Sequence, residues 1–226
     1  MSLTILYEDN HLLVINKTPG MLVQGDKTMD TPLVDIAKEY LKKKYQKPGN
    51  VFLGVVHRLD RPTSGVLVFA RTSKALTRLN EQFRSRTVQK TYWALVEGTQ
   101  LLQKDRLINW LVRNTKQNKS YAHTKEVPNA KRAQLDYEVK KILNRFSLLS
   151  IDLHSGRHHQ IRAQLASIGC AIKGDLKYGA KRSNSNGSIH LHARTLTFDH
   201  PTTKESLHII APPPSDSLWD ICVDDC

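Results

Sequence analysis

One segment of the sequence, His57–Ala70, places an aspartate between two arginines at a tight turn. An apolar run ends at its first residue, Asp60 lies between Arg58 and Arg61, and Pro62–Gly65 then turns the chain into a second apolar run. A carboxylate beside two guanidinium groups is a poor general base at neutral pH, but it can act as a nucleophile or stabilise positive charge. The same aspartate could instead cap the turn and pair with either arginine. The pattern alone leaves both roles open.

A second candidate for chemistry is Arg157, in the segment His154–Arg162 (HSGRHHQIR). Gly156 favours a turn here, and the turn presents the arginine directly before a predicted helix. A guanidinium in that place can pair with a distant carboxylate or with a phosphate. A lone arginine on a loop is also commonly solvated, so this pattern too leaves two interpretations.

Histidines raise the question of a metal site. His190 and His192 point to one face of a predicted strand, and His154, His158 and His159 are close together in sequence. Neither group is joined by an HExxH motif, a CxxC motif or a compact acidic cluster, which are features typical of metal sites. An HxH pair on a strand is more typical of packing or RNA contact. We therefore expect no metal ion and no organic cofactor.

The charge balance predicts a polyanionic partner. Lys and Arg total 34 against 21 Asp and Glu, a net charge of +13 with a pI near 9.7, which favours RNA or DNA over an anionic membrane surface. Between Arg84 and Arg132, basic residues alternate with four aromatic residues that could stack on bases: Tyr92, Trp93, Trp110 and Tyr121. The lysines of Lys38–Lys47 are more typical of a solvated helix face.

Composition excludes several classes of protein. No apolar run approaches the roughly 18–20 residues that a membrane-spanning helix needs, and the first residues (MSLTILYEDN) do not resemble a signal or transit peptide. The three cysteines, Cys170, Cys222 and Cys226, are too few for a disulfide framework, which favours a reducing compartment. We therefore expect a cytoplasmic protein, and assign no role to Cys222 and Cys226.

Hydrophobic periodicity predicts a chain that is mostly strand, with three helices. The predicted strands are Thr4–Glu8, His11–Asn16, Phe52–His57, Gly65–Ala70, Lys90–Glu97, Ala133–Ile142, Ser147–Leu153, His190–Phe198 and Ser206–Ala211. The predicted helices are Thr31–Tyr45, Ser73–Arg84 and Gln160–Ile168, with Thr31 and Thr72 as N-caps and Gly169 after the third helix.

Two segments depart from this rhythm. Gln103–Arg132 is polar and basic, and is expected to form a hairpin that extends from the core, while Lys177–Ser188 is expected to be a loop. Three consecutive prolines end the last strand, and residues from about 212 to 226 are expected to form an acidic tail. The whole pattern favours one α+β domain, residues 1–226, with a large mixed or mainly antiparallel sheet.

Five sequence blocks together resemble RNA pseudouridine synthases of the RluA type. They occur in family order from near residue 4 to near residue 212, and they read ILYEDNHLLVINKTPGMLVQ, HRLDRPTSG, KTYWALVEG, LHSGRHHQIRAQLASIGCAIKGDLKYG and LHARTLTFDHP. The resemblance implies the pseudouridine-synthase fold and the isomerisation of specific uridines in structured RNA, with ribosomal RNA ahead of transfer RNA. It implies no membrane and no obligate protein partner. Many relatives carry a small S4-like RNA-binding domain before the catalytic one, and we expect none here.

The resemblance also implies roles for individual residues. Asp60 would attack the flipped-out target uridine, Tyr92 would lie against the base and assist its proton chemistry, and Arg157 would pair with Asp60. Arg58 would enter the space that the flipped nucleotide leaves, and Ile172 would form an apolar wall of the pocket. Further substrate contacts are expected from two other residues of the HRLDRPTSG motif: His57 and Arg61.

Two positions depart from the family pattern. His158 replaces the small hydroxyl residue usual after the motif arginine, and Lys173 stands where an apolar residue is usual, where it could contact a phosphate. The sequence disfavours two other functional classes. A non-catalytic RNA-binding module is disfavoured because Asp60, Tyr92 and Arg157 are all present, and a metal-dependent nuclease is disfavoured because no acidic cluster exists.

Overall fold

The computed structural model describes residues 3–26 and 29–223, which fall into two compact units. The first unit comprises residues 3–26, 29–88 and 194–213, and the second comprises residues 89–193 and 214–223. Within these described ranges, no helix is both long enough and apolar enough to cross a membrane.

Eleven strands and four α-helices make up the described chain. The strands are β1 (Thr4–Glu8), β2 (Leu12–Lys17), β3 (Gly54–Val55), β4 (Ser64–Ala70), β5 (Gln89–Glu97), β6 (Lys104–Asn114), β7 (Lys119–His123), β8 (Lys131–Ile142), β9 (Phe146–Leu153), β10 (Leu191–Asp199) and β11 (Ser206–Ile210). The helices are α1 (Leu33–Lys44), α2 (Ser73–Ser85), α3 (Gln160–Ser167) and α4 (Ser217–Val223), with a short 3-10 turn at Leu176–Tyr178.

In the first unit, strands and helices enclose a core that is apolar on both sheet faces. The strand order is β1-β2-β4-β10, with β11 beside β10 and β3 beside β4. Residues Leu12–Ile15 and Val66–Ala70 are at most 1% exposed, because neighbouring strands flank them and the buried side chains of α1 and α2 cover the sheet. Gly54 allows α2 to approach β3, since a Cβ there would lie 2.7 Å from the Leu76 side chain.

In the second unit, the strand order is β5-β9-β8-β6-β7, and every described pairing is antiparallel. The side chains of β6 and β8 alternate between buried and accessible. The buried set forms an inner face against α3, where the Gln164 amide donates to the Leu107 carbonyl (3.1 Å) and to Asn109 Oδ1 (2.8 Å). Residues with the opposite parity form the outer face.

Most predicted elements are present, but their ends differ where distant residues replace local hydrogen bonds. The predicted strand Phe52–His57 shrinks to β3, because His57 Nε2 accepts the N–H of Val68 (3.2 Å). The predicted cap at Thr31 is wrong: α1 begins at Leu33, and the N–H groups of Leu33 and Val34 are satisfied by the loop carbonyls of Leu22 and Val23. The Thr72 cap of α2 is confirmed, with its side chain accepting from the Ala75 N–H (3.1 Å).

The C-terminal segment holds a helix that the sequence pattern did not predict. Asp216 Oδ1 accepts the N–H groups of Leu218 and Trp219, both at 2.9 Å, and so begins α4. Trp219 and Cys222 are buried, and Trp219 packs on the outer face of the second unit. The predicted hairpin within Gln103–Arg132 is confirmed as β6 and β7. Cys226 lies outside the described residues.

Candidate active site

Asp60 lies on a compact turn of the first unit, directly before β4. Its backbone carbonyl accepts the N–H of Thr63 (3.0 Å), which closes the turn, and the neighbouring Leu59 is buried and anchors the segment. The Asp60 side chain is partly exposed. The backbone that carries the carboxylate is therefore fixed by the turn.

Lys17 lies under this turn and is a residue that sequence reasoning missed. Its ammonium donates to three backbone carbonyls, those of Thr18 (3.1 Å), Arg61 (3.1 Å) and Thr63 (2.6 Å). Burial lowers the pKa of Lys17 to about 7, the positive charge of Arg61 acts in the same direction, and the negative charge of Asp60 opposes both. The signal in the sequence was a lysine at the end of the apolar strand LLVINK. A lysine in that place becomes desolvated when the strand is buried.

The other three motif residues of this segment have different surroundings. The His57 ring stacks on Phe83 of α2, with centroids 4.9 Å apart. Arg61 binds the loop that follows β2, through Nε to the Gly20 carbonyl (3.0 Å) and through its guanidinium to Asp30 (2.8 Å). Arg58 is exposed and has no hydrogen-bond or ion-pair partner among the described residues.

Tyr92 and Ile172 both lie along β5 in the second unit. Tyr92 is 9% exposed and faces the same side of the sheet as Ala94 and Val96, opposite Ile151 of β9. Ile172 is 1% exposed and forms an isolated bridge with Val96. Both residues are therefore buried against the same strand, and their roles in the pocket stay predictions.

Arg157 projects from a loop that is hydrogen-bonded at both ends. Gln160 Oε1 accepts from the Arg157 N–H (3.1 Å) and from the Ser155 hydroxyl (2.8 Å), and the Gln160 amide donates to the Gln134 carbonyl (3.0 Å). Arg157 Nε donates to the backbone carbonyl of Arg132 on β8 (3.3 Å). The loop that carries this guanidinium is therefore fastened to the sheet. Its predicted pairing with Asp60 stays a prediction.

The two departures from the family pattern both make contacts within the second unit. His158 contacts β7 and the turn before it, through Ser120 and Asn118. The Lys173 ammonium donates to Asn184 Oδ1 (2.5 Å), and burial lowers its pKa. The predicted phosphate contact of Lys173 remains untested.

The structure thus groups His57, Arg58, Asp60 and Arg61 in the first unit and places Tyr92, Arg157 and Ile172 in the second. Among the residues that it describes, no three His, Cys, Asp or Glu side chains converge in a way that would hold a metal ion.

Comparison with known proteins gives a consistent picture. The model of the RNA pseudouridylate synthase family matches residues 11–167. The chain is 36% identical over 217 residues to the ribosomal large subunit pseudouridine synthase C of Buchnera aphidicola subsp. Schizaphis graminum, which covers 92% of the chain and 66% of that protein. It is 37% identical over 239 residues to an uncharacterized RNA pseudouridine synthase of Chlorobaculum parvum, covering 95% of the chain and 72% of that protein. The chain therefore spans just under two thirds of the first of these relatives.

Two solved structures share the fold over nearly the whole chain. Human RNA pseudouridylate synthase domain containing 4 has a TM-score of 0.80 at 25% identity, covering 97% of this chain and 92% of its own. Human RNA pseudouridylate synthase domain containing 1 has a TM-score of 0.75 at 24% identity, covering 98% and 87%. The predicted α+β fold is confirmed.

Proposed function

Because the chain belongs to the RNA pseudouridylate synthase family, we propose that it isomerises uridine to pseudouridine in RNA. The resemblance to RluA-type synthases is confirmed by the family match and by the named relatives. The observation that carries the proposal is that the family match spans the unbroken segment HRLDRPTSG, residues 57–65, with Asp60 at its centre.

The reaction cleaves the N-glycosidic bond, rotates the uracil and forms a carbon–carbon bond. In our proposal Asp60 is the nucleophile that attacks the target uridine, and a single carboxylate suffices, unlike the acid/base pair of a glycosidase. Lys17 and the Thr63 N–H support this role by holding the backbone that carries Asp60. When the C5 bond forms, C5 releases its proton and N1 takes one up, so the product is an isomer of the substrate. No redox partner or group carrier enters the balance, and we propose that activity persists in excess chelator.

The remaining roles concern the base and the gap it leaves. We assign Tyr92 to proton transfer at the flipped base, Ile172 to the apolar wall, and Arg157 to an ion pair with Asp60. Removing a base from the stack costs a few kcal/mol, and the exposed guanidinium of Arg58 is suited to fill the gap and offset that cost. His57 and Arg61 support the same loop through their contacts with α2 and Gly20.

Ribosomal RNA is the substrate class that the relatives favour, since several are named as ribosomal large subunit pseudouridine synthases. Transfer RNA is the alternative. We further propose that residues 1–226 act as one catalytic domain without an obligate protein partner. We also propose that the chain acts in the cytoplasm, because its three cysteines are too few for a disulfide framework.

The test is the variant Asp60→Asn, which preserves the shape of the side chain and removes the nucleophilic charge. We expect no tritium release from RNA labelled at uridine C5, with thermal unfolding and RNA affinity close to those of the unmodified protein. Asp35→Asn, an exposed carboxylate on α1, is the matched control and should retain full turnover. Turnover by Asp60→Asn at the control rate would refute the nucleophile assignment.

A further inference from the structure

The outer face of the second unit carries aromatic and cationic side chains in register on three neighbouring strands. Trp110 of β6 lies opposite His123 of β7 and opposite Arg132 of β8, so these three side chains form one row across the sheet. The adjacent row pairs Val112 with Tyr121. Ile108 pairs with Gln134 in the row on the other side of Trp110. We call this set of side chains the outer platform: Ile108, Trp110, Val112, Tyr121, His123, Arg132 and Gln134.

The outer platform is partly open to solvent: Ile108, Tyr121 and Arg132 are exposed, and the other four side chains are half-buried. Tyr121 is 41% exposed and Ile108 is 37% exposed, while the inner-face neighbours Leu111 and Leu107 are 4% and 7% exposed. At the far end of the same outer face, α4 covers Trp93 and Leu95 through Trp219. Helix α4 therefore covers the apolar side chains at one end of this face, whereas no described element covers the apolar side chains of the platform to the same degree.

Charge identifies the chemical class of the occupant. Residues 107–135 contain six Lys or Arg and one acidic residue, Glu126. Within the described chain, none of the six forms an ion pair: Arg113, Lys116, Lys119, Lys125, Lys131 and Arg132. The Lys119 ammonium lies 5.4 Å from the centroid of the Tyr121 ring, so a phosphate next to a base on that ring would meet a cation.

The middle of the outer face limits the extent of the site. A shallow cleft of about 470 Å³ lies beyond the Ile108 row, and its lining includes Asp136, Glu138 and Asp152. Asp136 is held by Arg106 at 2.6 Å, and the Arg106 hydrogen bond together with His154 lowers the pKa of Asp136 to about 2. Lys104 and Arg106 line the same cleft and pair with Glu138 and Asp136. With Asp105 and Asp152 the lining has four carboxylates and two cations, so it is less favourable to phosphates than the Trp110 and Tyr121 rows.

We propose that the outer platform binds a single-stranded segment of RNA by stacking its bases on Trp110 and Tyr121, with Arg132 and Lys119 at its phosphates. This inference rests on the proposed function and adds to it an interaction surface for unpaired nucleotides of the RNA. Duplex RNA hides its base faces, whereas unpaired bases stack on aromatic rings and on guanidinium planes. The Arg132 carbonyl accepts from Arg157 Nε (3.3 Å), so the platform adjoins the loop of a residue assigned to catalysis.

Intrinsic fluorescence gives a direct test, because the other two tryptophans of the chain, Trp93 and Trp219, are only 7% and 2% exposed. A ten-nucleotide RNA of alternating A and C contains no uridine and cannot turn over. We expect it to quench the fluorescence of the unmodified protein, and we expect Trp110→Phe to abolish the quenching. Quenching that persists in Trp110→Phe would overturn the platform.

Affinity gives the second arm. Tyr121→Leu keeps apolar bulk but removes the aromatic face, and should weaken binding of the same oligonucleotide by about 5- to 100-fold, the range for loss of one stacked base. Tyr121→Phe should bind like the unmodified protein. The matched control is Tyr45→Leu in the first unit, since Tyr45 is 43% exposed and also lies near cations, Arg71 and Lys47. Equal affinity of Tyr121→Leu and Tyr45→Leu would overturn the proposal.

Two further outcomes would also overturn it. Binding of a ten-base-pair G–C duplex RNA as tightly as the single strand would mean that phosphates alone are recognised. Self-association in sedimentation velocity that Tyr121→Leu abolishes would assign the platform to a second copy of the chain. Failure of the proposed function can be distinguished from failure of the platform. If the protein binds the oligonucleotide but releases no tritium, only the isomerase activity is refuted. If the protein releases tritium and Tyr121→Leu binds the oligonucleotide with unchanged affinity, only the platform is refuted.

Discussion

His158 and Ser120 join the Arg157 loop to strand β7 through two hydrogen bonds. The Ser120 hydroxyl donates to the His158 carbonyl (2.8 Å), and the Ser120 hydroxyl oxygen also lies 2.9 Å from His158 Nδ1. His158 Nε2 also lies 3.1 Å from Asn118 Oδ1 in the turn before β7. A residue next to Arg157 thus contacts both the turn and the strand of the β6–β7 hairpin.

Replacing His158 should therefore loosen the hairpin. We expect His158→Ala to lower the free energy of unfolding by about 1–2 kcal/mol, for the loss of two side-chain hydrogen bonds at a partly buried site, and to weaken RNA binding more than it slows turnover at saturating RNA. Urea unfolding and a KM-against-kcat comparison measure the two effects. His208→Ala, an exposed histidine on β11, is the control. An unchanged KM with reduced kcat would instead place His158 at the reacting base.

Lys17 should titrate near neutrality in the folded protein. Burial lowers its pKa to about 7, whereas a lysine in an unfolded chain titrates at about 10.4. Between these values the unfolded chain holds a proton that the folded chain releases. The contribution of Lys17 to the free energy of unfolding is therefore smallest below pH 7 and rises with pH up to about pH 10.

The measurement is a pH titration of ¹³C-labelled lysine side chains by NMR. One resonance should shift with a midpoint near 7, and it should be missing from Lys17→Arg, which keeps donors for the carbonyls of Thr18, Arg61 and Thr63. Lys43→Arg on α1 removes an exposed lysine and is the control. If every lysine signal titrates above pH 9, the lowered pKa is wrong.

The hairpin and the segment after it should supply much of the electrostatic RNA affinity. Replacing Lys116, Lys119 and Lys125 together with Ala should reduce the slope of log affinity against log salt by up to about two units, at roughly 0.7–0.9 per neutralised phosphate. Turnover at saturating RNA should change little. The control triple variant, at Lys42, Lys43 and Lys47, removes the same charge from the C-terminal end of α1 and the turn after it. A larger loss of slope in the control would move the main RNA surface to the first unit.

Trp219 should contribute strongly to the stability of the second unit. It is 2% exposed, packs with Trp93, Leu95 and Leu148, and stacks on His190 with ring centroids 5.3 Å apart. Truncation to Ala should lower the free energy of unfolding by about 3–5 kcal/mol. Ile221→Ala, on the exposed side of the same helix, should change it by less than about 0.5 kcal/mol. Similar values for both variants would show that α4 does not hold the unit together.

Much of the fold could be predicted from local sequence alone. The alternating pattern of β8 and the capped, amphipathic α2 depend on neighbouring residues, and both are found within two residues of their predicted ends. The Asp60 turn could be predicted for the same reason, because Pro62 and Gly65 favour a turn wherever they occur. The family followed from five sequence blocks in order, which requires no knowledge of contacts.

Contacts between residues distant in sequence were decided only by the tertiary structure. The burial of Lys17 against a turn 44 residues away lowers its pKa, and no local pattern reports that desolvation. Likewise, the alternation of buried and accessible side chains along β8 can be predicted locally. Only the register of β6 with β8 and of β6 with β7 determines that Trp110, His123 and Arg132 share one row. Helix α4 is short and begins in an acidic stretch, so its stability comes from Trp219 on a sheet formed over 60 residues earlier. Local sequence thus sets backbone preference and motif chemistry, whereas burial, register and the surroundings of each side chain arise from packing between segments that only the folded chain brings together.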